Sequence, residues 1–144
     1  KMRLSLNWKQ AGLTAVALLA LGAGIATAAN KYSKPKSIVH VVKLTYKDGT
    51  TDEQKKAVLD GVEKMASEIP GLKNIWLKSI RMQGEYTEKL PDGTVKVRPF
   101  TDSFVMEFEN EASFKAYADH PSHTAWEKIY TPVRGRSATI DVTN

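Results

Sequence analysis

An α+β fold, with two helices laid over one face of a four-stranded antiparallel sheet, is predicted by three observations. Segments rich in β-branched and aromatic residues alternate with two amphipathic helical segments in the order βαββαβ. The connections between them carry strong turn or cap signals. The 144-residue chain has no cysteine, so neither disulfides nor thiolate-bound metals hold it together, and packing must do so.

The elements follow in order. Ile38 to Tyr46 alternates as a strand with Ile38, His40, Val42 and Leu44 on one face and Val39 and Val41 on the other. Lys47 to Thr51 is a turn, and Thr51 with Gln54 three residues on forms a capping box. Val58, Leu59, Val62, Met65, Ala66 and Ile69 then recur at helical spacing, until Pro70-Gly71 stops the helix. Asn74 to Met82 reads as a second strand carrying Ile75, Trp76, Leu77, Ile80 and Met82. Residues 83–99 hold the turn Pro91-Asp92-Gly93 and are expected to form a small inserted hairpin, Tyr86 to Leu90 against Thr94 to Arg98. Phe104, Met106 and Phe108 alternate along the third main strand. Asn110 caps a helix whose inner face is Phe114, Tyr117 and Ala118. His120-Pro121-Ser122-His123 interrupts it, Thr124 to Tyr130 resumes with Trp126 and Ile129, and Ser137 to Val142 is the last strand.

That order predicts a ferredoxin-like α+β domain. Helices on one face leave Val39, Val41 and their neighbours uncovered on the other, more apolar surface than a soluble monomer usually exposes. Two sheets packed face to face would bury it, and roughly 600 Å² so buried contributes of order 15 kcal/mol before association costs, so a homodimer is expected.

The apolar run from Ala11 to Ala29 follows Lys1, Arg3 and Lys9 and ends in Ala26-Thr27-Ala28. This is the pattern of an export signal cut near Ala28 or Ala29, with a membrane anchor over residues 11–29 as the alternative. Residues 1–29 are therefore expected to be signal peptide or anchor, 30–37 a tether, and 38–144 the folded domain, periplasmic or secreted. Membrane contact is expected only if the first segment is retained. The chain's formal charge of +5 falls to +2 from Asn30 onward, 18 basic against 16 acidic residues. That balance excludes a nucleic-acid footprint.

Three histidines are candidates for chemistry. His40 lies on the strand face expected beneath the helices, where desolvation keeps an imidazole neutral as a general base requires; a core histidine bonded to a carbonyl is the alternative. Pro121 turns the chain between His120 and His123, leaving either imidazole free to enter a cleft, or else His120 complements a helix C-terminus and His123 caps the next turn. Tyr117 lies three residues before His120 on the same helical side and offers a hydroxyl. Phe114 and Trp126 are candidate pocket walls, and Asp102, with Asp141 more weakly placed, is a candidate to orient an imidazole. The histidine spacing matches no established metal motif, and there is no phosphate-binding glycine loop or nucleophilic serine elbow, so no metal and no cofactor is expected.

The segments Ile38-Val39-His40-Val41-Val42-Lys43-Leu44, Ile69-Pro70-Gly71-Leu72, Phe104-Val105-Met106-Glu107-Phe108 and Phe114 to His123, with its Tyr-x-x-His-Pro-x-His pattern, resemble the stress-responsive α/β-barrel (Dabb) family. The resemblance spans about Ser37 to Val142 and implies a ferredoxin-like fold assembled as a dimeric α/β barrel. One plant member is a polyketide cyclase acting by aldol condensation in a pocket between helices and sheet. On the matching positions the resemblance implies His123 as base, Tyr117 as the hydroxyl that orients or polarises substrate, and His40 and His120 as pocket residues. Asp102 stands where that cyclase has a histidine. Three kinds of function are compatible with these residues: binding of a small apolar or aromatic ligand, lyase or cyclase chemistry on a carbonyl compound, and a non-catalytic structural dimer.

Overall fold

The computed structural model describes residues 32–144, of which Pro35–Asn144 form one compact unit. Residues 32–37 have no regular structure, and β1 then runs over Ile38–Tyr46. Helix α1, Asp52–Glu68, opens on the expected capping box: Thr51 Oγ1 accepts from Gln54 N at 3.3 Å, and Gln54 Oε1 accepts from Thr51 N at 2.9 Å. Its buried face is Val58, Val62 and Met65, the expected stripe, with Leu59 and Ala66 partly covered at its margin.

Strand β2 is Leu72–Trp76, starting earlier and ending sooner than the expected 74–82. Beyond Trp76 the apolar residues no longer alternate across one surface. Leu77 packs on the core, whereas Ile80 is fully exposed and Ser79 leaves the strand line to bond the Ser103 hydroxyl at 2.6 Å. The inserted hairpin is β3 (Glu85–Lys89) paired with β4 (Val95–Pro99), closed by Asp92 Oδ1 accepting from Thr94 N at 2.9 Å. Strand β5 is Asp102–Phe108.

Asn110 Oδ1 caps α2, Glu111–Ala118, by accepting from Ser113 N at 3.0 Å. Tyr117 is the buried residue of this helix, Phe114 is half-buried, and Ala118, expected inside, faces out. Helix α3 runs from Pro121 to Val133, three residues earlier than the expected start at Thr124. Pro121 begins it rather than interrupting it, because the first helical position needs no N–H and suits the fixed φ of proline. Trp126, Tyr130 and Val133 are its buried residues, while Ile129 is exposed. Strand β6, Arg134–Val142, completes the chain's βαββαβ pattern around the inserted hairpin.

The main sheet has the order β2-β5-β1-β6 with all pairs antiparallel, a ferredoxin-like arrangement. Register places Ile38 opposite Phe108, His40 opposite Met106 and Val42 opposite Phe104, and these side chains face the helices. The sheet is open: β2 and β6 are its two edges, so the expected barrel is not formed by this chain. Among the described residues no helix is long and apolar enough to cross a membrane. The expected signal or anchor over residues 1–29 lies outside the described residues and finds no support in them.

Trp126 locks α3 to α1. Its Nε1 donates to Val58 O at 2.9 Å, and its ring lies so close to Gly61 that a Cβ there would stand 2.5 Å from Trp126 Cδ1. Gly61→Ala would gain about 1 kcal/mol of helix propensity, but overpacking and the strained hydrogen bond cost about 1–3 kcal/mol each. The substitution is therefore expected to destabilise the domain by about 1–5 kcal/mol, measured by urea unfolding; an unchanged or higher midpoint would contradict this packing.

Candidate functional site

The site is assembled by β1, β6 and the corner between α2 and α3. Because β1 and β6 are antiparallel with His40 opposite Asp141, the two side chains lie on the same sheet face. His40 Nδ1 and Asp141 Oδ1 are 2.5 Å apart, with the imidazole nearly covered and the carboxylate 44% exposed. A carboxylate accepts, so the Nδ1 proton of His40 points at Asp141, and Nε2 is the ring nitrogen outside that bond.

Tyr117 descends from α2 between two imidazoles. Its ring centroid is 6.0 Å from His40 and 4.2 Å from His123. Phe114 stands 5.6 Å from His40, and Phe108 lies beneath both α2 aromatics at 5.3 and 5.1 Å. On the other side His123 stacks on Trp126 at 5.7 Å, and Trp126 stacks on Tyr130 at 4.5 Å. His123 Nδ1 is 3.1 Å from Ala118 O; a carbonyl only accepts, so this nitrogen carries a proton and Nε2 is the ring nitrogen outside that bond. The chain leaves helical conformation at His120, extended at φ −70° and ψ 137°, between the last turn of α2 and the first turn of α3, which this bond joins.

His120 is used differently. Its Nδ1 accepts from Ser122 N at 3.2 Å, making it the N-cap of α3 instead of a residue complementing a helix C-terminus. Asp102 does not orient an imidazole. It lies opposite Leu44 at the far end of β5, accepts from Thr101 Oγ1 at 2.6 Å, and borders a hollow of about 210 Å³ with Tyr46, Lys55, Leu59, Leu77 and Phe104. Asp141 does the orienting. The signal was present in the sequence, since an antiparallel last strand beside the first brings Asp141 to His40, but it required the strand register. Among the described residues no three histidine or carboxylate side chains converge as a metal site.

A wider cleft of about 680 Å³ lies between the hairpin and the β1–β6 end. Neither hollow is lined by His40, Tyr117 or His123, whose rings pack against one another where the sequence suggested an open pocket.

The match to the Stress responsive A/B Barrel Domain model over residues 38–144 decides the family. This chain belongs to the stress-responsive A/B barrel (Dabb) family. A stress-response A/B barrel domain-containing protein of Arabidopsis thaliana is 26% identical over 102 residues, 71% of this chain and 81% of that relative. Among solved structures, a dimeric ferredoxin-like protein of unknown function from Thermobifida fusca matches with TM-score 0.54 and 24% identity, covering 80% of this chain and 97% of that one. Hydroxynitrile lyase from Passiflora edulis matches with TM-score 0.55 and 18% identity, covering 75% and 93%. These two likenesses establish a shared fold.

Burial governs the phenols of this Dabb domain. It raises Tyr117 well above the ordinary 10.0, with the Glu127 charge adding to the effect. Tyr46 is pushed up to about 12 by burial and then by the Asp102 charge. Tyr130 is also raised by burial; its buried Oη has no hydrogen-bond partner, and Ser137 and Arg134 lie close enough only to temper the shift. A folded-state value above the unfolded one means the native chain holds these protons longer. The associated stability is present below pH 10 and declines as the pH rises through the folded values. Tyr117→Phe should therefore flatten the alkaline limb of the stability curve above about pH 10, read by urea unfolding at stepped pH. An unaltered alkaline slope would contradict a desolvated phenol.

Proposed function

We propose that this Dabb domain binds a small apolar or aromatic ligand at the α2–α3 corner, with Tyr117 and His123 as its polar contacts and His40 behind them. The reading rests on the convergence of two oriented imidazoles on one buried phenol. In a layer otherwise made of Phe108, Phe114, Trp126 and Met106, such groups are costly unless they fix core packing or meet a ligand. The rings fill the space at rest, so binding requires one to move. Phe114 is the candidate gate: it is half-buried on the short helix α2, which contributes only Tyr117 to the buried core.

Titration with 1-naphthol, followed by NMR, is expected to move the Tyr117, His123 and Trp126 indole N–H signals. Affinity should fall about tenfold in His123→Ala, the equivalent of one lost hydrogen bond. It should rise in Phe114→Ala, where space is already open. Shifts confined to the outer sheet face would overturn the reading.

The tautomer of His123 favours a second reading, proton-transfer chemistry of the lyase or cyclase type. With Nδ1 committed to Ala118 O, Nε2 is the basic nitrogen, as a general base requires. Burial keeps Tyr117 protonated and able to donate a hydrogen bond to an oxygen developing negative charge. The Passiflora edulis relative, a lyase on the same fold, is compatible with such use of the scaffold.

We also propose that two copies pair through the uncovered sheet face. Val39, Val41 and Val105 lie there beside Trp76, Ile140 and Val142, the last three each about half exposed. The Thermobifida fusca relative is described as dimeric. Ile140→Lys would place a charge in that patch and is expected to shift sedimentation from dimer to monomer without unfolding the domain. A wild-type chain that sediments as a monomer at micromolar concentration would refute the pairing.

A further inference from the structure

Strand register fixes the pattern of the uncovered sheet face residue by residue. Across its middle runs an apolar row, Trp76, Val105, Val41 and Ile140, one residue from each of the four strands. Toward the start of β1, Val39 and Val142 continue the apolar surface, and Glu107 of β5 stands beside Val39. Toward the end of β1, Lys43 lies between Ser103 and Ala138. Among the paired positions of this face, Lys43 and Glu107 are the charged ones. They occupy the two central strands, diagonally across the Val41–Val105 pair.

Each charge is braced and lacks an opposite charge. Asn74 Nδ2 donates to Glu107 Oε2 at 2.6 Å, and Lys43 Nζ rests 5.2 Å from the Phe100 centroid at the base of the hairpin. Among the described residues neither side chain is in an ion pair. A second copy seated on this face takes both away from water, and a charge enclosed alone costs far more than one that meets its opposite. Charge therefore constrains how two such faces align, beyond the apolar area they share.

A two-fold pairing is reciprocal: if a residue meets a given position on the partner, the converse contact forms as well. For two faces in contact the axis lies between them, and its direction over the Val41–Val105 pair decides what meets what. An axis along the strands lays Lys43 over the partner's Ser103 and Glu107 over the partner's Val39. An axis across the strands lays Lys43 over the partner's Val39 and Glu107 over the partner's Ser103. An axis square to the line from Lys43 to Glu107 brings each to its opposite charge on the partner. With strands about 4.8 Å apart and a rise of about 3.4 Å per residue, the strands of the two copies then cross at roughly 40°, near the roughly 30° that twisted, packed sheets favour.

We infer that two copies meet in this third alignment, with Lys43 of each chain against Glu107 of the other and the apolar rows crossing between the two ion pairs. The inference rests on the face-to-face pairing proposed above and adds the register in which the faces meet.

The test is charge reversal read by sedimentation. Lys43→Glu sets acid against acid at both contacts and Glu107→Lys sets base against base, so each is expected to weaken dimerisation at least about tenfold. Mixing the two variants is expected to give a heterodimer at least about tenfold tighter than either homodimer, because both of its contacts are of opposite sign. The double variant Lys43→Glu, Glu107→Lys should regain dimerisation in the same way. If a reversal unfolds the domain, Lys43→Gln and Glu107→Gln carry the test: each weakens the dimer, and together they weaken it by less than the product of the two. Single reversals as tight as the wild type, a mixture no tighter than its components, or multiplicative losses in the glutamine series would overturn the register. If Ile140→Lys still yields monomers in that case, the pairing stands and only the alignment falls; a monomeric wild type removes both.

Discussion

The indole of Trp126 is where the two helical segments, the sheet and the candidate site meet. Its N–H is taken by Val58 of α1, its Cδ1 edge lies close against Gly61, Phe104 of the sheet meets it at near right angles at 5.7 Å, and His123 and Tyr130 stack on it. One residue therefore sets the spacing between α1 and α3 and the height of the second imidazole above the sheet. A buried aromatic with its polar atom satisfied is well suited to this, because it brings large contact area without an orphan donor. The position of His123 is in this sense inherited from core packing.

Much of the fold was legible because local physics decided it. The capping box at Thr51, the Asn110 cap, the alternation of β1 and the Pro91-Asp92-Gly93 turn each rest on residues close in sequence, and each has the expected partner in the structure. Two boundaries were misplaced, one for a distant reason and one for a local one. The extent of β2 depends on which apolar residues β5 can pair, and the start of α3 depends on proline being acceptable at a first helical position. The single chain's open sheet could not be separated from a barrel by pattern alone, since an alternating strand reads the same in both.

The candidate site shows the same division. Tyr117, His123, Phe114 and Trp126 lie within ten or so residues of each other, so helical spacing was enough to suggest their neighbourhood. His40 joins them through the sheet, and its partner is set by register: Asp141, with Asp102 stranded at the other end of β5. His120 was misjudged for a local reason, because a histidine before proline can cap the helix that the proline begins. No sequence feature indicated that the rings would close up on themselves, since free volume is a property of packing and leaves no pattern.

The hairpin leaves the main sheet through Gly84 and returns at Phe100, two points joined by a backbone bond. Its tip at Asp92-Gly93 is exposed and lies in a connection that carries none of the helix-layer residues. A fluorophore or a short peptide spliced into that turn would ride on an arm clamped at its base, reporting on events near β3 while leaving the aromatic stack beneath the helices untouched. The same clamp makes the arm a separable unit, exchangeable for another loop of matching span without redesign of the domain beneath it.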